Sequence, residues 1–125
     1  MKKFSKSWKS SSKPRKQIKY RKNAPLHIKQ RFVHSHLSKE LRKKYGKRSI
    51  GLRKGDKVKI MIGRFKKHDG KIERIGLRKT LAYVSGIEIT KRDGSKKMIG
   101  LNPSNLMIIE LNLDDKLRQK VLERK

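Results

Sequence analysis

The chain has 125 residues, 38 of them Lys or Arg against 10 Asp or Glu, for a net charge of +28. A compact globule with that charge repels itself strongly unless a polyanion screens it, and nucleic acid is the commonest such partner. Cysteine is absent, which excludes disulfides, a thiolate zinc site and a cysteine nucleophile; hydrophobic residues make up only 33% and no apolar run approaches spanning length, which argues against a membrane partner.

The length fits one small domain plus an extension. The Lys-rich first residues are followed by no apolar h-region, so they do not read as a secretory signal. A transit peptide is also acid-poor and Ser-rich, so the N-terminus alone does not exclude one. The chain is read as cytoplasmic. Charge is uneven along it: residues 1–54 hold 20 basic and one acidic residue, a net of +19, and residues 55–125 hold 18 and nine, a net of +9. The front half is therefore an arm, and the back half holds the core.

Residues 1–23 combine Lys, Arg and Ser with isolated aromatics, Phe4, Trp8 and Tyr20. They offer too little apolar surface to order themselves, and Ser10, Ser11, Ser12 and Pro14 are expected to break any helix. A tail of this kind can fold onto RNA, its rings stacking and its cations on phosphates. Ala24-Pro25-Leu26 could open a short helix carrying Leu26, Ile28, Phe32, Val33 and Leu37. Ser38 is an N-cap for a second, Lys39 to Tyr45, with Glu40 at its positive end and Gly46 as its stop. Leu41 and Tyr45 share one face of it, as a docking stripe.

Residues 55–75 are the most informative stretch. Val58, Ile60 and Ile62 alternate with Lys57, Lys59 and Met61, and a strand of that pattern buries the first three. After Gly63 comes a basic loop with one ring, Arg64-Phe65-Lys66-Lys67-His68. The chain is then expected to turn at Asp69-Gly70 and return through Lys71 to Ile75. A loop that offers Arg, Lys and Phe together can neutralise phosphate and stack on an unpaired base. The plain alternative is a solvated hairpin in a basic protein. Further strands are expected at Leu81–Val84, Ile87–Thr90, Lys97–Leu101 and Leu106–Ile109, with turns at Lys91–Lys96 and Asn102–Asn105. Short strands so closely spaced predict a small curled barrel. Asp114 to Arg124 predicts a terminal helix, with Leu113, Leu117 and Val121 in one apolar row.

Gly55-Asp56-Lys57-Val58-Lys59-Ile60, the glycines at 63 and 70 and the Lys71-Ile72 return resemble the KOW motif of ribosomal and transcription proteins. The flanks narrow the resemblance. Asn23 to His27, Leu37 to Gly46, Arg48-Ser49-Ile50, Asn102 to Asn105 and Leu122 to Lys125 look like the large-subunit ribosomal protein family numbered twenty-four in the universal nomenclature, in its archaeal and eukaryotic branch. The likeness runs over roughly residues 13–125; the KOW stretch alone is weakly specific, the ordered flanking blocks strongly so. It implies a mainly β fold, an SH3-like barrel with a basic N-terminal arm containing short helices and a short C-terminal helix. It further implies binding to large-subunit rRNA near its 5′ region, early action in subunit assembly, a place beside the polypeptide exit tunnel, and neighbouring large-subunit proteins as partners. Two positions depart from the family. Lys67 stands where glycine is usual, and glycine there would permit positive φ or close approach of RNA. Ile62 stands where arginine is frequent, which removes one cation.

Together these readings divide the chain into an RNA-binding arm (1–23), a short-helix extension (24–50), the barrel (51–111) and the terminal helix (112–125). The candidate RNA-binding residues in the arm are Lys13, Arg15, Lys16, Lys19, Tyr20, Arg21 and Lys22. The extension adds His27, Arg31, Arg42, Lys43, Lys44, Lys47 and Arg48. The barrel adds Arg53, Lys54, Arg64, Phe65, Lys66, Lys67, His68 and Lys71, framed by the structural glycines Gly55, Gly63 and Gly70. No cofactor, metal or small-molecule substrate is expected. His27, His34, His36 and His68 lack the cysteine or clustered carboxylate that would complete a ligand set; the spacing of His34 and His36 suits one face of a strand. Asp56, Asp69 and Asp93 adjoin glycines as turn formers, and no acidic pair suggests catalysis. No Gly-Lys-Ser/Thr follows Gly63–Gly70, so it is not a Walker loop. The alternative class, a KOW-type transcription elongation factor, places a mixed α/β domain before the module. The first 50 residues here are too basic and too poor in apolar residues for one.

Overall fold

The computed structural model describes residues 4–7 and 10–124, so Trp8 of the expected stacking rings lies outside the described residues. Three helices and two strands precede the KOW stretch: α1 (Pro14–Asn23), α2 (Leu26–Phe32), β1 (His34–Leu37), α3 (Lys39–Tyr45) and β2 (Ser49–Gly51). Then come β3 (Lys57–Ile60), β4 (Asp69–Gly76), β5 (Leu81–Thr90), β6 (Lys96–Leu101), a 3-10 turn (Pro103–Asn105), β7 (Leu106–Glu110) and α4 (Lys116–Glu123). Among the described residues the strands form one sheet in the order β2-β1-β7-β3-β4-β5-β6. It curls around a single core that includes Leu37, Val58, Ile60, Ile72, Val84, Leu106 and Ile108, each essentially inaccessible to solvent. This is the mainly β, barrel-like fold that the closely spaced strands predict.

The sheet is put together from distant segments. β3 pairs antiparallel with both β4 and β7, while β1 runs parallel to β7 with Leu37 opposite Ile108. The segment expected to be a short-helix extension thus supplies two strands, β1 and β2. Helix α2 stops at Phe32, and Val33 and Leu37 enter the barrel core instead of continuing a helical face. Alternation over only four residues, partnered from seventy residues away, is too weak a local signal to outweigh the helical reading. The Ser35 hydroxyl, buried, donates to the Pro103 carbonyl at 2.6 Å and so ties β1 to the 3-10 turn. Helix α3 follows its sequence signals: the Ser38 side chain accepts from Leu41 N, and Gly46 ends it. Leu41 and Tyr45 pack against the core.

Four further expectations change. Part of the arm is helical, because Pro14 occupies the first helical turn, where a missing N–H costs nothing, and Arg21 and Lys22 complement the last turn. That helix buries no residue. Ile62 is 63% exposed, since β3 ends at Ile60 and the chain leaves the sheet before its side chain can turn inward. Asp69 and Gly70 are not a turn but the first residues of β4, opposite Lys59 and Val58. Leu81–Val84 and Ile87–Thr90 are one strand, joined through an irregularity in its pairing with β6.

The terminal helix differs most. It begins at Lys116, capped by the Asp115 carboxylate, which accepts from Leu117 N at 2.9 Å. Its buried row is Arg118 and Leu122, one position along from the row of Leu113, Leu117 and Val121, which is left exposed. The cause is an ion pair. Asp56 is fully buried, and its two carboxylate oxygens accept from Arg118 Nη1 at 2.6 Å and Nη2 at 2.7 Å. The same carboxylate accepts from Arg53 N at 2.8 Å and Asn112 N at 2.9 Å. Arg118 also donates to the Asn112 and Gly51 carbonyls.

Removing one partner of a buried pair strands the other's charge in the interior, so Arg118→Ala should cost about 3–5 kcal/mol. Urea denaturation followed by circular dichroism measures this. A loss under about 1 kcal/mol, the scale of a surface ion pair, would show that the pair does not hold the helix.

Candidate nucleic-acid interface

The β3–β4 loop is a compact knot. Ile60 N donates to His68 O and Lys67 N to Ile60 O, both at 2.9 Å, closing the loop at its base. Inside it, Lys66 N reaches Gly63 O and His68 N reaches Phe65 O. Gly63 takes φ +101, which a side chain would resist. Lys67 takes φ 74 although it carries a side chain, in the left-handed region that glycine enters freely, so the lysine bears the strain. Phe65 is half-buried against the core, where the sequence favoured a ring turned to RNA. The His68 ring meets it edge-on at 6.3 Å, and the Arg64 guanidinium lies 5.8 Å from its centroid. Phe65 is therefore the loop's anchor, and it sets Arg64, Lys66, Lys67 and His68 on the outside.

Beside the loop, Lys71 is exposed on β4 opposite Lys57, its backbone N–H donating to the Ser85 hydroxyl. Gly70 lies so close to β5 that a Cβ there would meet Val84 Cγ1 at 2.6 Å and the Ser85 carbonyl at 2.8 Å. Gly55 N donates to Ile72 O, joining the start of the KOW stretch to β4.

The arm's candidates lie on α1 and at its N-cap, Lys13; Lys13, Arg15, Lys16, Lys19 and Lys22 are exposed. Tyr20, expected to stack on RNA, is half-buried between Phe4 and Phe32, with ring centroids at 5.0 and 6.2 Å. Arg21 lies over Phe32 at 5.7 Å. On and after α3, Lys43, Lys44 and Arg48 are exposed, while Arg42 donates to the Leu37 carbonyl and Lys47 to the Val121 carbonyl. Those last two cations serve the fold as well as the surface. His27, Arg31, Arg53 and Lys54 come from separate segments and line one groove of about 710 Å³. Arg53 pairs there with Asp115 at 3.4 Å. His34 also lines it, and burial lowers its pKa.

Sequence reasoning missed the pairing of Asp56 with Arg118, and it missed the Arg74 guanidinium stacked 4.3 Å from the Tyr83 ring centroid. Neither pair has a signature in spacing. Among the described residues, no three His, Asp or Glu side chains gather as a metal site, and no helix is long and apolar enough to cross a membrane.

The fold is a small curled β-sheet that carries a closed cationic loop and a basic helical arm. Residues 11–125 match the family described as the eukaryotic ribosomal proteins L26 together with their archaeal counterparts numbered twenty-four. Two relatives carry the name large ribosomal subunit protein uL24. The one from Methanothrix thermoacetophila is 45% identical over 114 residues, covering 91% of this chain and 98% of its own. The one from Methanocorpusculum labreanum is 42% identical over 116 residues, covering 93% and 96%. The chain belongs to this ribosomal protein family.

Phe65→Ala should lower stability by roughly 1–3 kcal/mol, less than the 3–5 of a fully buried Phe, while Arg64→Ala and Lys66→Ala leave the melting temperature unchanged. Thermal melts of the three variants check this. Lys67→Gly should raise stability by about 0.5–1 kcal/mol: relief of about 1–2 of left-handed strain, less the greater chain entropy glycine gives the unfolded state. A destabilised Lys67→Gly would mean that its side chain supports the loop.

Proposed function

We propose that the chain is a structural component of the large ribosomal subunit that binds large-subunit rRNA. In this reading it acts near the 5′ region of that RNA, early in assembly and beside the polypeptide exit tunnel, in the cytoplasm and among other large-subunit proteins. It performs no catalysis. The observation that carries the reading is the β3–β4 loop: a closed, Phe65-anchored knot that holds Arg64, Lys66, Lys67 and His68 outward from a rigid sheet. The closed backbone fixes where these side chains start, so only the side chains have to order on meeting phosphates. The family likeness supplies the kind of RNA, and the net charge of +28 supplies the driving force.

The test is titration of a transcript of the 5′ region of large-subunit rRNA at several salt concentrations. If about eight phosphates are neutralised, the slope of log affinity against log salt should lie near −5 to −7. An affinity nearly independent of salt would overturn the reading. Deleting residues 1–23 should leave a cooperative melt, since α1 buries no residue, and should lower both affinity and slope. Loss of the melt would make the arm part of the fold. Sedimentation of a lysate after a moderate salt wash should place the protein with the large subunit.

A further inference from the structure

The groove between α2, α4 and the barrel has a chemistry that charge neutralisation alone does not use. Its floor is the core residues Val33, Ile50 and Leu52, and one wall is Ile75 and Leu77. The other wall is Leu117 and Val121, 70% and 43% exposed. The mouth is cationic. Four of the candidate RNA-binding residues, His27, Arg31, Arg53 and Lys54, converge on it from α2 and from the turn after β2. Its volume of about 710 Å³ falls in the range of sites that enclose a small ligand, about 300–1,000 Å³.

We propose that this groove receives a single unstacked nucleotide of the bound RNA, its base against Leu117 and Val121 and its phosphates on Arg31 and Lys54. The proposal rests on the RNA-binding function above and adds a place where one base leaves the strand.

Three observations favour a nucleotide. First, the occupant must be apolar on its faces and anionic at its edge, and an extruded nucleotide is both. Second, the groove floor is fixed: Arg118 lines it while its terminal nitrogens are held by Asp56, Asn112 and Gly51, so the cavity need not be formed when a ligand enters. Third, His34 lines the same groove, and its imidazole in the neutral form offers both a donor and an acceptor. The acids at the rim do not reverse the sign of the mouth. Asp115 is paired with Arg53 and caps α4, and the one other acid of the lining, Asp114, is outnumbered by Arg31 and Lys54. An acidic amphipathic peptide is the competing occupant. It would match the walls and the mouth, but it has no reason to find the groove where the RNA-facing residues converge.

The experiment uses the full chain and the same 5′-region transcript. Leu117→Ala/Val121→Ala removes apolar wall and no charge, and both side chains are exposed, so the melting temperature should hold. RNA affinity should fall roughly tenfold at every salt concentration with the slope unchanged, as loss of an apolar contact requires. A photoreactive p-benzoylphenylalanine at Leu117 should cross-link to one nucleotide, which sequencing of the attached RNA identifies. An unchanged affinity in the double variant, beside a wild-type chain that binds RNA with steep salt dependence, overturns the groove proposal and leaves RNA binding standing. A wild-type chain without that salt dependence removes both. Cross-linking in isolated large subunits to a protein instead of RNA overturns the proposal in favour of the peptide.

Discussion

The Asp56–Arg118 pair is the constraint on which the arrangement of this small protein depends. Four segments meet at it: the end of β2 through the Gly51 carbonyl, the turn from Arg53 to Asp56, the chain just past β7 at Asn112, and α4. Two buried charges are expensive, and they are tolerated here because both carboxylate oxygens and both terminal guanidinium nitrogens have partners. A fork-to-fork pair has one good geometry, so it fixes the rotation of the helix as well as its position. That rotation decides which side chains of α4 face inward. With Arg118 inward, Leu122 follows into the core, and Leu117 and Val121 must face out. The exposed aliphatic wall of the groove is a consequence of the ion pair. The turn that carries Asp56 is tied to β4 by Gly55 N to Ile72 O and by Ile72 N to Asp56 O, so the same site sets the register of the first hairpin.

The contrast between what the sequence shows and what it hides follows from the range of each interaction. Ser38, Gly46 and the alternation through Val58 and Ile60 act over a few residues, and each does in the fold what its pattern says. The strands β1 and β2 depend on partners far along the chain, and β1 reads as part of a helix until β7 is beside it. Only His34 and His36, two apart, hinted at a strand. The alternating run fails at Ile62 because periodicity does not say where a strand stops. The row of Leu113, Leu117 and Val121 is a sound amphipathic pattern that one charged residue overrules. The candidate cations were legible as a set, from composition. Their grouping was not: nothing in the spacing of His27, Arg31, Arg53 and Lys54 places them at one groove.

Phe65 and Lys67 show a division of labour inside one loop. The ring was the obvious stacking candidate, since it sits among cations past a glycine. It packs instead against the core and anchors the loop backbone that carries the cations. Lys67 carries the opposite balance, holding φ 74 at a cost to the fold while adding a charge on the exposed side of the loop. A strained backbone position at a surface that gains nothing from packing is consistent with a role outside the fold itself. Glycine would satisfy the backbone and give up the charge. Lysine retains the charge and bears the strain.

Internal pairing does little against a net charge of +28. Among the described residues the ion pairs are Arg53–Asp115, Lys57–Glu110, Lys96–Glu88 and the buried Arg118–Asp56. The first three are substantially exposed and stabilise by at most about 1 kcal/mol each. Folding therefore rests on the aliphatic core and the one buried pair, while most cations stand outside both. These two sets of residues are nearly disjoint. Exposed cations such as Arg64, Lys66 and Lys71 can be tuned for a polyanion with little effect on the core. Arg42 and Lys47 are exceptions, since both hold backbone carbonyls. A polyanion that binds only the folded chain then returns stability by mass action, in proportion to the logarithm of its concentration over its dissociation constant. Such a partner would also relieve the self-repulsion that burdens the isolated protein. A chain this basic is best understood as one component of a complex whose other component is anionic.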